Sequence, residues 1–323
     1  MEALYFPNLS LPHPAWTNPN LLFFDRIQVI APPRVEASYF DYRTRDLISA
    51  GLVGPLDPAP YAHDEEGDEM VLGYILGQLF KRRPNSPPAR IHIGKISYSR
   101  LAQRLQEARL LSRVEHPFDD GWLEGPQWVI DHLMVVLAMR ILAQSEDLPL
   151  ITSRKDAKRL AVGRLHESTR DVRRVAAVAK LLPVGADATI DQIVRFKVRH
   201  GEELRRFRTV INDLLKGEVE IDVFYRRLDE AERMRYELAN ELRVLETRVP
   251  GWDLALSCAG VAAPFLENSP YSVAAATVGF GYLVYKLSQE RLQARRRRDK
   301  KLVYAALAQQ QLMPGDWGGD VNY

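Results

Sequence analysis

The chain has a single cysteine, Cys258, which excludes an internal disulfide and a cysteine-built zinc cage. It has no GxGxxG and no GxxxxGK[ST] stretch, so neither of the common glycine loops that cradle nucleotide phosphates is present. No window reaches the roughly 18–20 uninterrupted apolar residues of an ordinary transmembrane helix. The opening MEALYFPNLSLPHP lacks the basic start and apolar core of a secretory signal. An excess of one charge is missing too. There are 44 Lys and Arg against 42 Asp and Glu, a net of +2, so any attraction to nucleic acid or an anionic surface must be local. These absences lead to an expected cytoplasmic location, extending at most to the inner face of the membrane.

What is present is a chain of 323 residues, 46% of them hydrophobic, which is enough to bury a real core. The strongest pattern lies at 193–249. Ile193, Phe196, His200, Leu204, Phe207, Ile211 and Leu214 recur at helical spacing. The stripe resumes after Lys216-Gly217-Glu218 at Ile221, Phe224, Leu228, Ala231, Met234, Leu238, Leu242, Leu245 and Val249. Charged residues fill most other positions, so the spacing predicts two amphipathic helices of about 40 Å closed on each other by a short turn. Thr189-Ile190-Asp191-Gln192 has the form of a capping box for the first arm.

Upstream the pattern is mixed. Leu4-Tyr5-Phe6-Pro7 reads as extended, and Pro12, Pro14 and Pro19 are expected to keep the following residues out of helix. Leu21–Ile30 is a strand or a helix running into one, and Tyr39–Gly51 a short helix closed by Gly51. Gly54–Gly67 reads as an acidic, proline-rich loop and Met70–Phe80 as a helix. Ile91-His92-Ile93 reads as an edge strand and Leu101–Leu111 as an amphipathic segment. Trp128–Gln144 is a central helix, apolar nearly all round, followed by a buried strand at Leu148–Thr152 and a helix at Lys155–Leu182. The expected fold class is therefore mostly α with a small β component. A mixed α/β region (1–183) precedes the antiparallel helical pair (184–250), a short apolar helical hairpin (251–288) and a basic segment with a terminal helix and mobile tail (289–323).

Three groups of residues resemble a family of bacterial proteins carried as a domain of unknown function. They are Leu4-Tyr5-Phe6-Pro7 with Trp16, the apolar run Leu133–Leu142 leading into Pro149-Leu150-Ile151-Thr152-Ser153, and Phe196-Lys197-Val198-Arg199-His200 followed by Glu203-Leu204 and Phe207-Arg208. The resemblance spans roughly residues 4–215. It implies a bacterial source and an α-rich fold with few strands, and it carries over no functional residue.

The sharpest functional candidate is the apolar stretch 252–287. It has two arms of roughly 22 and 26 Å, rich in alanine and glycine, short of the about 30 Å hydrocarbon core. Leu254, Leu256, Val261, Phe265, Val278, Phe280 and Leu283 are its candidate contacts with a membrane or partner, and the competing reading is a hairpin buried as core. Arg295, Arg296, Arg297 and Arg298 follow it, where a cationic cluster suits an anionic partner or cytoplasmic retention. A second basic region, 154–208, holds 15 Lys or Arg against seven Asp or Glu, with Arg173 and Arg174 as its candidate anion contacts. No DNA- or RNA-binding motif accompanies it, and solvated helix faces give the same composition. The residues His63-Asp64-Glu65-Glu66 with Asp68 and Glu69 lack calcium-loop spacing and read as a mobile acidic loop. His132 and His200 have no second histidine at ligand spacing, and Cys258 sits among small apolar residues. No catalytic residue, metal site or cofactor is expected.

The expected function is a non-enzymatic interaction protein. Its apolar hairpin engages a protein partner, a second copy or a membrane, with release of the hairpin as the switching step. Such a switch requires two states within a few kcal/mol of each other. The competing expectation is a nucleic-acid binder or nuclease-like enzyme using the basic 154–208 surface.

Overall fold

The computed structural model describes residues 1–32, 39–61, 65–79, 86–96, 100–114, 121–145, 148–153, 166–217, 220–248 and 290–313. The chain is mostly helical with a small sheet component. It divides into two compact units, one of residues 1–176 with 189–194 and the other of residues 177–188 with 195–323.

The first unit is built on a parallel sheet, in the order β3-β2-β1-β7. Its strands are β1 (Glu2–Tyr5), β2 (Arg26–Ile30), β3 (Val53–Leu56) and β7 (Leu150–Ile151). Every pairing is parallel, with Leu4 opposite both Gln28 and Leu150. Parallel neighbours cannot be joined by a tight turn, so helices cross between them. The crossings are α1 (Pro14–Phe23) and α2 (Tyr42–Ser49). Helix α1 overturns the expectation that proline keeps this stretch non-helical. Pro14 occupies the first turn, where no N–H is needed. Pro19 lies inside the helix, which holds because the whole segment Thr17–Phe23 is buried. The ring of Trp16 packs 5.5 Å from that of Tyr5, and Arg43 of α2 donates to Asn18 Oδ1 at 2.6 Å.

The other side of the same core holds α3 (Glu65–Leu79), α4 (Arg100–Glu107), α5 (Gln127–Gln144) and an antiparallel sheet. That sheet has the order β4-β6-β5, formed by β4 (Pro88–His92), β5 (Ser112–Arg113) and β6 (Trp122–Pro126). Leu4 and Ile30 from the parallel sheet, with Phe6 just after β1, share one apolar cluster with Leu72, Ile75, Ile91, Leu105, Leu123 and the buried stripe of α5. The acidic stretch does not form the expected loop at its second half. Glu65 begins α3, and Asp68 is buried in an ion pair with Arg140 of α5 at 2.9 Å. A buried carboxylate is retained only when paired. The first unit also takes in most of α6 (His166–Leu181) and the start of α7 (Ile190–Arg199). The capping box at α7 forms, with Gln192 N–H donating to Thr189 Oγ1 at 3.2 Å and Gln192 Oε1 accepting from Thr189 N–H at 2.8 Å.

The second unit is helical. It contains α8 (Gly201–Leu214), α9 (Ile221–Arg248) and α10 (Glu290–Leu312). Much of the predicted apolar stripe is buried, but Ile221 is exposed and Met234 and Leu238 are half-buried. Phe196, Leu204, Phe207, Ile211, Leu214, Phe224, Leu228 and Ala231 are each under 10% exposed. Two details differ from the expectation. The first arm breaks at His200, whose backbone leaves the helical region (φ −114°, ψ 34°), so α7 and α8 are separate helices. The basic segment and the terminal helix are one continuous helix, α10. Its second half fills the space beside α8 and α9. Tyr304 meets Phe196 and Phe207 at 5.2 and 5.8 Å, Lys301 bonds Asp213 at 3.3 Å, and Arg235 donates to Gln309. Residue numbers rise along α8 as they fall along α10, so these two run antiparallel. Ala305, Ala306 and Ala308 are fully buried, and such small side chains permit close helix approach.

Candidate functional site

In open parallel sheets, ligands bind beyond the carboxyl ends of the strands, beside the point where strand order reverses. Here the reversal lies between β1 and β7, because the chain runs β1-β2-β3 to one side and adds β7 on the other. The carboxyl edge is firmly tied. Phe6 N–H donates to Ile151 O. The segment after β1 is pinned to the start of α2 by Leu11 N–H to Thr44 Oγ1 and Asp41 N–H to Ser10 Oγ, both 3.1 Å, while Asp41 caps α2 through Thr44 N–H at 2.6 Å.

Beyond β2, Ala31 and Pro32 run buried beneath the end of β4. A Cβ on Gly94 would lie 2.9 Å from Pro32 Cβ and 3.0 Å from His92 Nδ1, so only glycine fits this contact. His92 Nδ1 accepts from Gly94 N–H at 3.1 Å, which places the proton of a neutral ring on Nε2. The imidazole meets Trp122 edge-on at 5.5 Å, and Tyr39 meets the same indole at 5.3 Å. The turn begun by His92 ends in Lys95, which is 6% exposed. Among the described residues no carboxylate pairs with it. Burial disfavours the ammonium and pushes the pKa of Lys95 down to about 7. A neutral amine at neutral pH is a nucleophile and a base, which an ordinary surface lysine is not.

The residues singled out from the sequence lie elsewhere. Leu254, Leu256, Val261, Phe265, Val278, Phe280 and Leu283 fall outside the described residues. Arg295–Arg298 lie on α10, with side chains outside the described set. Arg173 is half-buried, and Arg174 is 8% exposed and bonded to Asp171 at 2.5 Å. Asp171 in turn accepts from Leu150 N–H at 2.9 Å. The Asp171–Arg174 pair thus tethers strand β7 and leaves Arg174 poorly placed to reach a bulky polyanion. Arg205 and Arg206 both face Glu202, at 2.6 and 3.4 Å, so part of the basic excess is offset locally. His132 is 2% exposed, its Nδ1 2.7 Å from Trp128 O, and its ring packs on Tyr74 and Trp128 as a core histidine does. Among the described residues no cluster of three or more His, Cys, Asp or Glu is placed to hold a metal, and no helix is long and apolar enough to cross a membrane.

Lys95 was not among the sequence candidates. Its signal was a lone lysine flanked by apolar residues, Ile93-Gly94-Lys95-Ile96, directly after a strand that contains histidine. No family model, no curated protein and no solved structure matches the chain.

Proposed function

We propose that the chain is a helical interaction protein, non-enzymatic in its main role, that presents residues 252–287 to a protein partner, a second copy of itself or a membrane surface in the cytoplasm. On this reading the stretch forms a short helical hairpin, and the helices on either side of it are its mount. The supporting observation is the way those flanks are held. Helix α9 runs to Arg248 before the stretch, and α10 begins at Glu290 after it. Helix α10 is anchored by the buried Leu302, Tyr304, Ala305, Ala306 and Leu307 together with Arg235–Gln309 and Lys301–Asp213. A segment with two rigid flanks loses less freedom on binding than one on a free tail, which favours affinity. The arginines at 295–298 lie 8 to 11 residues after the stretch in sequence, where they favour an anionic surface over a neutral one.

The test compares the intact chain with one lacking residues 254–287. Flotation uses vesicles of neutral lipid and vesicles with about a third anionic lipid, and light scattering is run in their absence. Flotation of the intact chain alone, stronger with anionic lipid, supports the membrane form. A larger mass for the intact chain than for the shortened one supports self-association. Equal behaviour of the two chains in both measurements, with the same far-UV circular dichroism per residue from 1–248, removes the hairpin as the contact for either.

A further inference from the structure

We infer that the groove between the end of α4 and the antiparallel sheet binds a small monocarboxylate with an aliphatic body. The groove holds about 200 Å³ and opens to solvent. That is below the roughly 300–1,000 Å³ of sites for drug-sized ligands, so the occupant is limited to a few carbons. One wall is the turn from Arg109 to Ser112, and the other is the end of the sheet at Pro88, Glu124 and Pro126. The walls meet at Gly125. A Cβ there would run into Leu110 O and lie 2.7 Å from Leu111 Cδ2, so only glycine lets the turn press on β6.

Two charged residues line the groove, and their situations differ. Glu124 Oε2 accepts from Arg90 Nε at 3.0 Å. Arg109 is exposed, and among the described residues its guanidinium has no ion pair or hydrogen bond. Its backbone stands at φ +56°, a left-handed conformation that a residue with a β-carbon adopts only at a cost. Strain of this kind clusters where a side chain serves a ligand. Here it keeps an uncommitted cation on the groove wall. A guanidinium grips a carboxylate through two parallel N–H···O bonds. Ser112 Oγ makes only a long bond, 3.4 Å, to Glu124 O, so its O–H is available to the same anion. Leu110, Leu111 and the two prolines give the rest of the groove an apolar lining, which suits an aliphatic body. One uncommitted cation beside an already paired carboxylate matches a single negative charge. The inference does not depend on the hairpin reading, since every residue it uses belongs to the first unit.

The experiment titrates hexanoate against the full chain at pH 7 by ligand-detected NMR, with hexanol and hexylamine as the uncharged and oppositely charged controls. Hexanoate should bind with a Kd on the order of millimolar, because a shallow site of this size touches few atoms. Hexanol and hexylamine should bind about tenfold more weakly or worse, through loss of the charge-assisted pair. Arg109→Asn should weaken hexanoate by about tenfold or more. Asparagine tolerates positive φ, so the turn survives the change. Glu124→Gln should tighten hexanoate several-fold, because it removes a like charge and releases Arg90. A disturbance of the fold alone would weaken binding instead. No binding of hexanoate at tens of millimolar overturns the proposal, and so does binding that Arg109→Asn leaves unchanged. Hexanol or hexylamine bound as tightly as hexanoate, or hexanoate weakened by Glu124→Gln, overturns the assigned ligand class. Should Arg109→Asn lose the far-UV circular dichroism of wild type, the three ligands on wild type together with Glu124→Gln decide.

Discussion

Each unit buries a basic side chain to the same degree, Lys95 in the α/β unit and Arg235 in the helical one, both 6% exposed. Their surroundings differ. Arg235 donates to Gln309 across to α10 and stands 3.9 Å from Glu232. Burial lowers its pKa and Glu232 works against the shift. A guanidinium stays charged at any ordinary pH, so a buried one must find acceptors. Lys95 has no described carboxylate partner and yields instead through its proton. The comparison separates two uses of a buried cation. One joins helices and is part of the fold. The other destabilises the fold near neutrality, which needs a reason beyond packing.

The largest expected effect tests that second use. In the folded chain the pKa of Lys95 is about 7, against an ordinary lysine value near 10.4. Below pH 7 both states are protonated and the folded state carries the full penalty, on the order of 4 kcal/mol. Between pH 7 and about 10 the unfolded chain binds more protons than the folded one, so stability rises with pH. Above that range both amines are neutral and the penalty is gone. Wild type should gain roughly 1 kcal/mol per pH unit across that window in urea unfolding, relative to Lys95→Met, which cancels every other titrating group. Lys95→Met should also be the more stable chain at pH 6. A difference between the two chains that stays flat from pH 6 to 10 means that Lys95 remains charged when folded, and the contrast with Arg235 collapses.

The next effect is opposite in sign. Arg235→Met leaves Gln309 without its donor, while Glu232 keeps Lys180 at 3.1 Å. Removing one partner of a buried polar pair costs about 1–3 kcal/mol. The loss should be the same at pH 6 and pH 9, because a guanidinium stays charged across that range and the Gln309 amide does not ionise. Unfolding followed through the helical signal measures it. A stabilised Arg235→Met would mean that the guanidinium is as poorly compensated as the Lys95 amine.

The two units also differ in how well their sequences reveal them. Helices α8 and α9 bury Leu204, Phe207, Ile211, Leu214, Phe224, Leu228 and Ala231 at steps of three and four, so one face of each helix is written into the chain. The break at His200 carried only a local sign, the Gly201 that follows it. The parallel sheet had no comparable signature. Its strands are two to five residues long, and in β1 Ala3, Leu4 and Tyr5 are buried on both faces. A strand covered on both sides does not alternate, so period gives no warning of it. Strand β3, Val53-Gly54-Pro55-Leu56, contains the two residues least associated with strands, yet it pairs with β2 from Ile27–Val53 to Ile30–Leu56 at the edge of the sheet, where proline is tolerated. Tyr39, His92 and Trp122 come together from three separate segments. Sequence spacing cannot bring these together, and only His92 lay in a predicted strand.

The smallest effect compares two helix ends of the first unit that share a design. After α2, Gly51 adopts φ +73°, its N–H reaches Ile48 O, and Leu52 N–H reaches Leu47 O. After α4, Arg109 adopts φ +56°, its N–H reaches Gln106 O, and Leu110 N–H reaches Leu105 O. Both are Schellman endings, each closed by a pair of buried leucines, Leu47 with Leu52 and Leu105 with Leu110. Only the first uses the residue that reaches the left-handed region without strain. Arg109 has no described salt bridge to offset that strain, and it borders a shallow groove with Glu124 and Gly125. Arg109→Gly should therefore raise stability by about 0.5–1 kcal/mol, after allowance for the greater freedom of glycine in the unfolded chain. Gly51→Arg, placing the arginine of one ending into the other, should lower it by about 1 kcal/mol. If Arg109→Gly instead destabilises the fold, the guanidinium makes a contact in that groove worth more than the strain, and it is then not free for a ligand.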